Sequence, residues 1–190
     1  SGMLTGAGSL VKTGSGTVVL SGANDYAGGT DVTQGVLRMG AQDLLASTIG
    51  GVNVLGGSLD LGGFGTQSSQ FLLAGGTVAN GTLNASGYEL RSGLMDAVLI
   101  GAGSLTKSTG GEVLLSGQIN LGGTLFVNGG SLTLLSAERI GDSSTVSLES
   151  GGVLNLGGTS ETVGRLRFNG GEAVHGTIVA SVYELFAGTV

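Results

Sequence analysis

Residues Gly6 to Gly22 read GAGSLVKTGSGTVVLSG, and a close copy, GAGSLTKSTGGEVLLSG, begins at Gly101. The two stretches agree at 11 of 17 positions and lie 95 residues apart, 101 minus 6. The same offset carries GGSLDLGG (Gly56 to Gly63) onto GGVLNLGG (Gly151 to Gly158), and Tyr88-Glu89-Leu90 onto Tyr183-Glu184-Leu185. The chain is therefore a tandem duplication, with one unit at about 6–100 and the second at about 101–190. Gly28-Gly29-Thr30 align with Gly122-Gly123-Thr124 at an offset of 94, and the register recovers by Leu37 and Leu132. A one-residue slip inside a strand turns every side chain to the other face, so this slip is expected in a turn.

Composition narrows the fold. Gly supplies 41 of 190 residues while Pro and Cys are absent. Without Pro or a Gly at every third position, collagen is excluded. A chain that is 40% hydrophobic and only 11% charged is not of the disordered class. The lack of Cys removes disulfides and thiolate metal sites. A net charge of -6 with seven Lys plus Arg argues against a nucleic-acid or anionic-membrane partner, since either would need a basic patch. No apolar run approaches the ~18 residues of a membrane helix, so membrane insertion by this segment is not expected. Ser1-Gly2-Met3 reads as a cloning remnant, and residues 4–190 as one continuous segment.

Short apolar alternations bounded by Gly, Asn, Ser or Thr recur along both units and predict strands. In the first unit these are Leu10 to Lys12, Val18 to Ser21, Thr30 to Thr33, Leu37 to Met39, Val52 to Leu55, Ser58 to Leu61, Phe71 to Ala74, Thr77 to Ala79, Thr82 to Asn84, Tyr88 to Arg91 and Ala97 to Ile100. Within them, Leu59 and Leu61 share one face and Asp60 the other, and the copy repeats this with Leu154, Leu156 and Asn155. Burial is expected at those four Leu and at Val18, Leu20, Val113 and Leu115. Helical patterning is confined to Gln42 to Ser47 and Ser136 to Ile140, each long enough for a single turn.

So many short strands do not suit an immunoglobulin-like sandwich. They suit an all-β parallel β-helix of about 8–9 rungs, each of about 20 to 25 residues, with inward residues stacked on their counterparts one rung away. Gly serves the corners, and Pro is missing because an interior strand needs its N–H for the ladder.

The order G-x-G-x-L-x-K, G-x-V-x-L-S-G, N-x-Y-x-G-G-T and G-x-L resembles the autotransporter-associated β-strand repeat. It is carried by Gly6, Gly8, Leu10, Lys12; Gly16, Val18, Leu20, Ser21, Gly22; Asn24, Tyr26, Gly28, Gly29, Thr30; and Gly35, Leu37. The second unit departs from the pattern, with Leu121 where Tyr26 stands. The resemblance implies a right-handed parallel β-helix in the passenger of a large Gram-negative surface protein. Such passengers are exported through the outer membrane by a C-terminal barrel, the route called type V secretion.

No catalytic, cofactor-binding or metal site is expected, and no cofactor. A histidine-based triad would need His175, the only His, whose neighbours offer no nucleophile motif; it reads as a solvated corner. The 13 carboxylates are spread along the strands, as solvated faces are. Neither the Gly-rich calcium nonapeptide nor an EF-hand loop occurs. Gly6-Ala7-Gly8 lacks the ending of a phosphate loop. Lys12 and Lys107 share strand parity with Leu10 and Leu105. They are expected at strand ends with packed stems and heads in water, an internal ion pair being the alternative.

The expected role is a non-catalytic structural stalk of a secreted passenger at the bacterial cell surface, extending the protein and aiding its export and folding. An adhesin that binds through outer faces is the alternative, and a polysaccharide-acting enzyme a further one. Expected partners are neighbouring rungs of the parent passenger and host-surface or bacterial-surface ligands. The terminal rungs carry no polar cap and are expected to fray or associate.

Overall fold

The computed structural model describes residues 2–43, 45 and 50–190. Among them every regular element is a strand, 22 in all, and every strand pairing is parallel. Each strand lies beside the strand one turn away, so the chain winds into a solenoid of about nine turns.

One face is traced by Leu10, Thr30, Val52, Phe71, Tyr88, Leu105, Leu125, Val146, Leu166 and Tyr183, each paired with the next. The turns take between 17 residues (Tyr88 to Leu105) and 22 (Thr30 to Val52), tighter than the 20 to 25 expected. On the second face Leu37, Leu59, Val78, Met95, Leu115 and Leu134 line up in the same way.

A third face holds a separate four-stranded sheet, Gly65–Ser68, Thr82–Ala85, Val98–Gly101 and Ile119–Leu121. It turns Thr66, Leu83, Leu99 and Ile119 inward. Between Tyr88 and Leu105 three strands are joined by corners of two residues each, which makes this one of the shortest turns.

All eleven strands expected in the first unit are present, with ends that shift by a residue. Two were not foreseen: Gly65–Ser68, whose GTQS carries no large apolar residue, and Gly93–Met95. Ser136 to Ile140 does not form a helical turn; Ile140 instead makes an isolated parallel bridge to Ile119. The matching expectation at Gln42 to Ser47 lies partly outside the described residues.

Alternation sorts side chains as a pleated strand must. Leu59, Leu61, Leu154, Leu156, Leu20, Val113 and Leu115 are buried, as expected. Val18 is not: it pairs with buried Leu37 but stays 44% exposed, because a neighbouring turn covers it on one side only. Tyr183 and Leu185 of the last turn are exposed for the same reason, although Tyr88 and Leu90, their counterparts, are buried.

The one-residue slip expected in a turn has no counterpart in the ladder. Sequence matching set Thr30 against Thr124, yet the ladder gives Thr30 the inward place that Leu125 holds in the second unit, an offset of 95 (125 minus 30).

Tyr88 ties a corner together from inside. Its hydroxyl accepts the Ala85 N–H at 2.6 Å and shares its proton between the carbonyls of Leu83 (2.8 Å) and Ile100 (2.7 Å), the last on the following strand of the third face. Burial pushes its pKa up to about 12, so it remains a donor across ordinary pH. Tyr183 repeats the first two bonds, to Ala180 N–H and Ile178 O.

Leu154 is fully buried while Asn155, next to it, faces outward and accepts the Gly157 N–H at 3.1 Å, which a carboxylate can do equally well. Leu154→Ala is expected to cost about 2–5 kcal/mol and Asn155→Asp less than about 0.5 kcal/mol in equilibrium denaturation. Equal losses would mean that the two faces have been assigned the wrong way round.

Candidate functional site

The polar groups of this chain fall into two sets, one built into the interior and one along the outer faces. Lys12 and Lys107 belong to the first. They are 4% and 0% exposed, on the inward column of the first face, so their heads do not reach water. Nor does either form an ion pair among the described residues. The Lys12 ammonium donates to the carbonyls of Thr13 (2.9 Å), Gly14 (2.7 Å) and Gln34 (3.0 Å). Lys107 donates to Thr109 O (2.5 Å) and Gly129 O (2.7 Å). Each lysine therefore joins the corner that follows its own strand to the same corner one turn on.

The cradle requires glycine at one position. Gly35 has φ +65°, and a Cβ there would lie 2.7 Å from Lys12 Nζ and 2.3 Å from Gly14 O. Gly130, 95 residues on, has the same φ and the same crowding against corner carbonyls. Strand parity alone put the stem inward. That corner carbonyls would converge on its head could not be read from parity.

Glu161 is a second interior group, against the expectation that the 13 carboxylates all lie on solvated faces. It is buried, and its two carboxylate oxygens accept the backbone N–H groups of Ile140 (2.6 Å) and Arg139 (3.0 Å). It thus fastens the non-helical segment around Ile140 to the next turn. Burial raises its pKa above the usual 4.5; the two N–H donors oppose this, neighbouring Glu138 adds to it and the Arg139 charge opposes it. The matching position in the first unit is Thr66 (161 minus 95), which carries no charge.

The repeat motif also has an interior explanation. Tyr26 and Thr30 are buried and their hydroxyls lie 2.6 Å apart. In the second unit Leu121 and Leu125 occupy both places, so the polar pair is replaced as a pair and neither place keeps a lone hydroxyl.

On the outside, carboxylates link neighbouring turns. Asp31 accepts from Asn53 (2.7 Å), Asp60 from Asn80 (3.0 Å), Asp96 from Ser116 (2.6 Å), and Glu112 from Thr133 (2.7 Å). Glu89 holds Arg91 and Ser108, which lower its pKa, and Glu184 pairs with Arg165 and Arg167. His175 sits exposed at a corner with φ 56°, its Nδ1 3.3 Å from Asn155 Oδ1. No group of three or more His, Cys, Asp or Glu that could hold a metal ion occurs among the described residues. An open recess of about 440 Å³ lies on the outer side of the third face, lined by uncharged residues that include Gln67, Asn84, Ser86 and Ala102.

A duplicated parallel solenoid, with repeated interior latches and outer polar ties between turns, is the class of protein that fold and side chains define. Comparison with known proteins carries this further. Residues 10–39 match the passenger-associated-transport-repeat family. The chain is 33% identical over 92% of its length to the adhesin BmaC autotransporter of Brucella suis biovar 1 (strain 1330), and spans 6% of that protein. It is 27% identical, again over 92% of its length, to the probable autotransporter YfaL of Escherichia coli (strain K12), and spans 16% of it. No solved structure matches at a significant level. The chain is autotransporter passenger sequence of the repeat-bearing kind.

Two outcomes test the interior groups. Lys107→Met keeps the stem but leaves two corner carbonyls without their donor, and should cost roughly 1–3 kcal/mol, seen as a lower denaturant midpoint at unchanged slope. For Glu161 the sign follows from a folded pKa above the unfolded one. The native state takes up this proton first, so the site's contribution to stability rises as pH falls through the raised value toward 4.5. The stability of the parent relative to Glu161→Gln should therefore increase on acidification across that window. A decrease would mean that the N–H donors outweigh burial.

Proposed function

We propose that this segment is a non-catalytic stalk within an autotransporter passenger, displayed at the bacterial surface, giving the protein length and aiding its export and folding. The observation that supports this most directly is the unbroken stack itself. Leu10 and Leu105, one unit apart, stand in the same column after five steps, through Thr30, Val52, Phe71 and Tyr88. A duplication of 95 residues therefore adds five whole turns and leaves the register of this face unchanged, while on the second face the column shifts by two residues, from Leu37 to Leu134, and keeps its inward parity. Such a unit can be added or lost without disturbing its neighbours, as a spacer element must allow.

A second reading is supported by one relative's description as an adhesin, together with the recess on the third face: the outer surface binds host-surface or bacterial-surface ligands. The two readings part on one deletion. Removing residues 11–105 from the parent passenger joins Leu10 to Thr106 in register. On the stalk reading the passenger still reaches the surface, at reduced yield, and is shorter by about 24 Å, five steps of ~4.8 Å each. Surface binding by the rest of the passenger persists. Unchanged length would overturn the stalk reading, and loss of binding with export intact would replace it with the adhesin one.

A further inference from the structure

Asn84, Ala85 and Ser86 spell Asn-x-Ser, the acceptor sequence for attaching a sugar to an asparagine amide. The structure places this tripeptide where a sugar can be carried. Asn84 lies in the strand Thr82–Ala85 of the third face, exposed, between inward Leu83 and Ala85. Its side-chain amide has no hydrogen-bond partner among the described residues. One turn on, Gly101 makes room for it: a Cβ there would fall 2.5 Å from Asn84 Oδ1.

The recess of about 440 Å³ opens beside this side chain, and Asn84 and Ser86 both line it. That volume lies within the ~300–1,000 Å³ of sites that hold small ligands. Its lining offers side-chain amides, hydroxyls and Ala methyl groups and has no charge, which suits a neutral polyhydroxylated ring better than an acidic or basic one.

A second acceptor sequence, Asn80-Gly81-Thr82, provides an internal comparison. Asn80 sits at a corner with φ 58°, and its Nδ2 already donates to Asp60 Oδ1 at 3.0 Å. In the second unit the two asparagines are replaced by His175 and Val179, so both acceptor sequences belong to the first unit alone.

We propose that Asn84 is a glycosylation site, accepting a single neutral hexose whose ring lies in the recess on the third face. The donor is a sugar activated as its nucleoside diphosphate, brought by a glycosyltransferase. Asn84 Nδ2 attacks the anomeric carbon and a C–N bond forms as the C–O bond to the diphosphate breaks. The electron pair leaves with the nucleoside diphosphate, and the amide proton passes to a base on the transferase. Asn84 is paired with Gln67 on one side and Ile100 on the other in the folded ladder, so transfer takes place on the extended chain before the turns stack. The inference goes beyond the stalk reading and does not depend on it.

The test is peptide mass spectrometry, with fragmentation that separates Asn80 from Asn84, on the passenger recovered from the surface of the bacterium that makes it. A hexose increment on Asn84 that disappears in Ser86→Ala is the expected result. Ser86 is exposed, and the change leaves Asn84 and every backbone bond in place. Unmodified Asn84, an increment on Asn80 alone, or an increment that survives Ser86→Ala would each overturn the proposal.

Discussion

Parallel pairing between each strand and the strand one turn away is the constraint on which the rest of this structure depends. Apart from those at the two ends, the strands of the two long faces have a partner on each side, so their N–H and C=O groups are consumed in the ladder. Stacking then fixes the interior. Leu37, Leu59, Val78, Met95, Leu115 and Leu134 form one continuous column because the register between turns is in phase, and each buried side chain contributes roughly 1.5–3 kcal/mol. Where a turn lacks a neighbour on one side, as at Val18 and Leu185, the same kind of residue is left exposed.

Corners are the points at which the ladder cannot satisfy the backbone, and the interior polar groups gather there. Lys12 and Lys107 supply donors to carbonyls that the corners leave over, Glu161 supplies acceptors to the N–H groups of Arg139 and Ile140, and Tyr88 does both. These groups bridge consecutive turns, so they stabilise the stacked arrangement more than any single turn. Their burial is tolerated because each charge meets more than one partner, since a lone buried charge would cost several kcal/mol.

The outer faces follow another rule. Carboxylates, amides and hydroxyls there link turn to turn in the solvent, where an exposed pair contributes little, and their combined effect is a polar surface that discourages lateral association. The third face differs, since small corner residues let the surface sink into a recess and the Asn84 amide beside it is not engaged.

Much of this was legible in the chain itself. Period-2 alternation and glycine punctuation are local properties, so the strands, the inward Leu59 and Leu154 and the outward Asn155 could be placed from sequence, and the 95-residue repeat required the two units to fold alike. The passenger-repeat resemblance was carried by residues whose packing explains them, Tyr26 against Thr30 above all. What the chain could not show was anything set by the turn above or below. The strand Gly65–Ser68 has no apolar signal and exists because Thr82–Ala85 pairs with it. The Lys107 ammonium is capped by Gly129, 22 residues away, and Glu161 by a segment 21 residues earlier. Local periodicity decides which way a side chain points. Only the stacked turns decide what it meets, because its partners lie one full turn of the solenoid away along the chain.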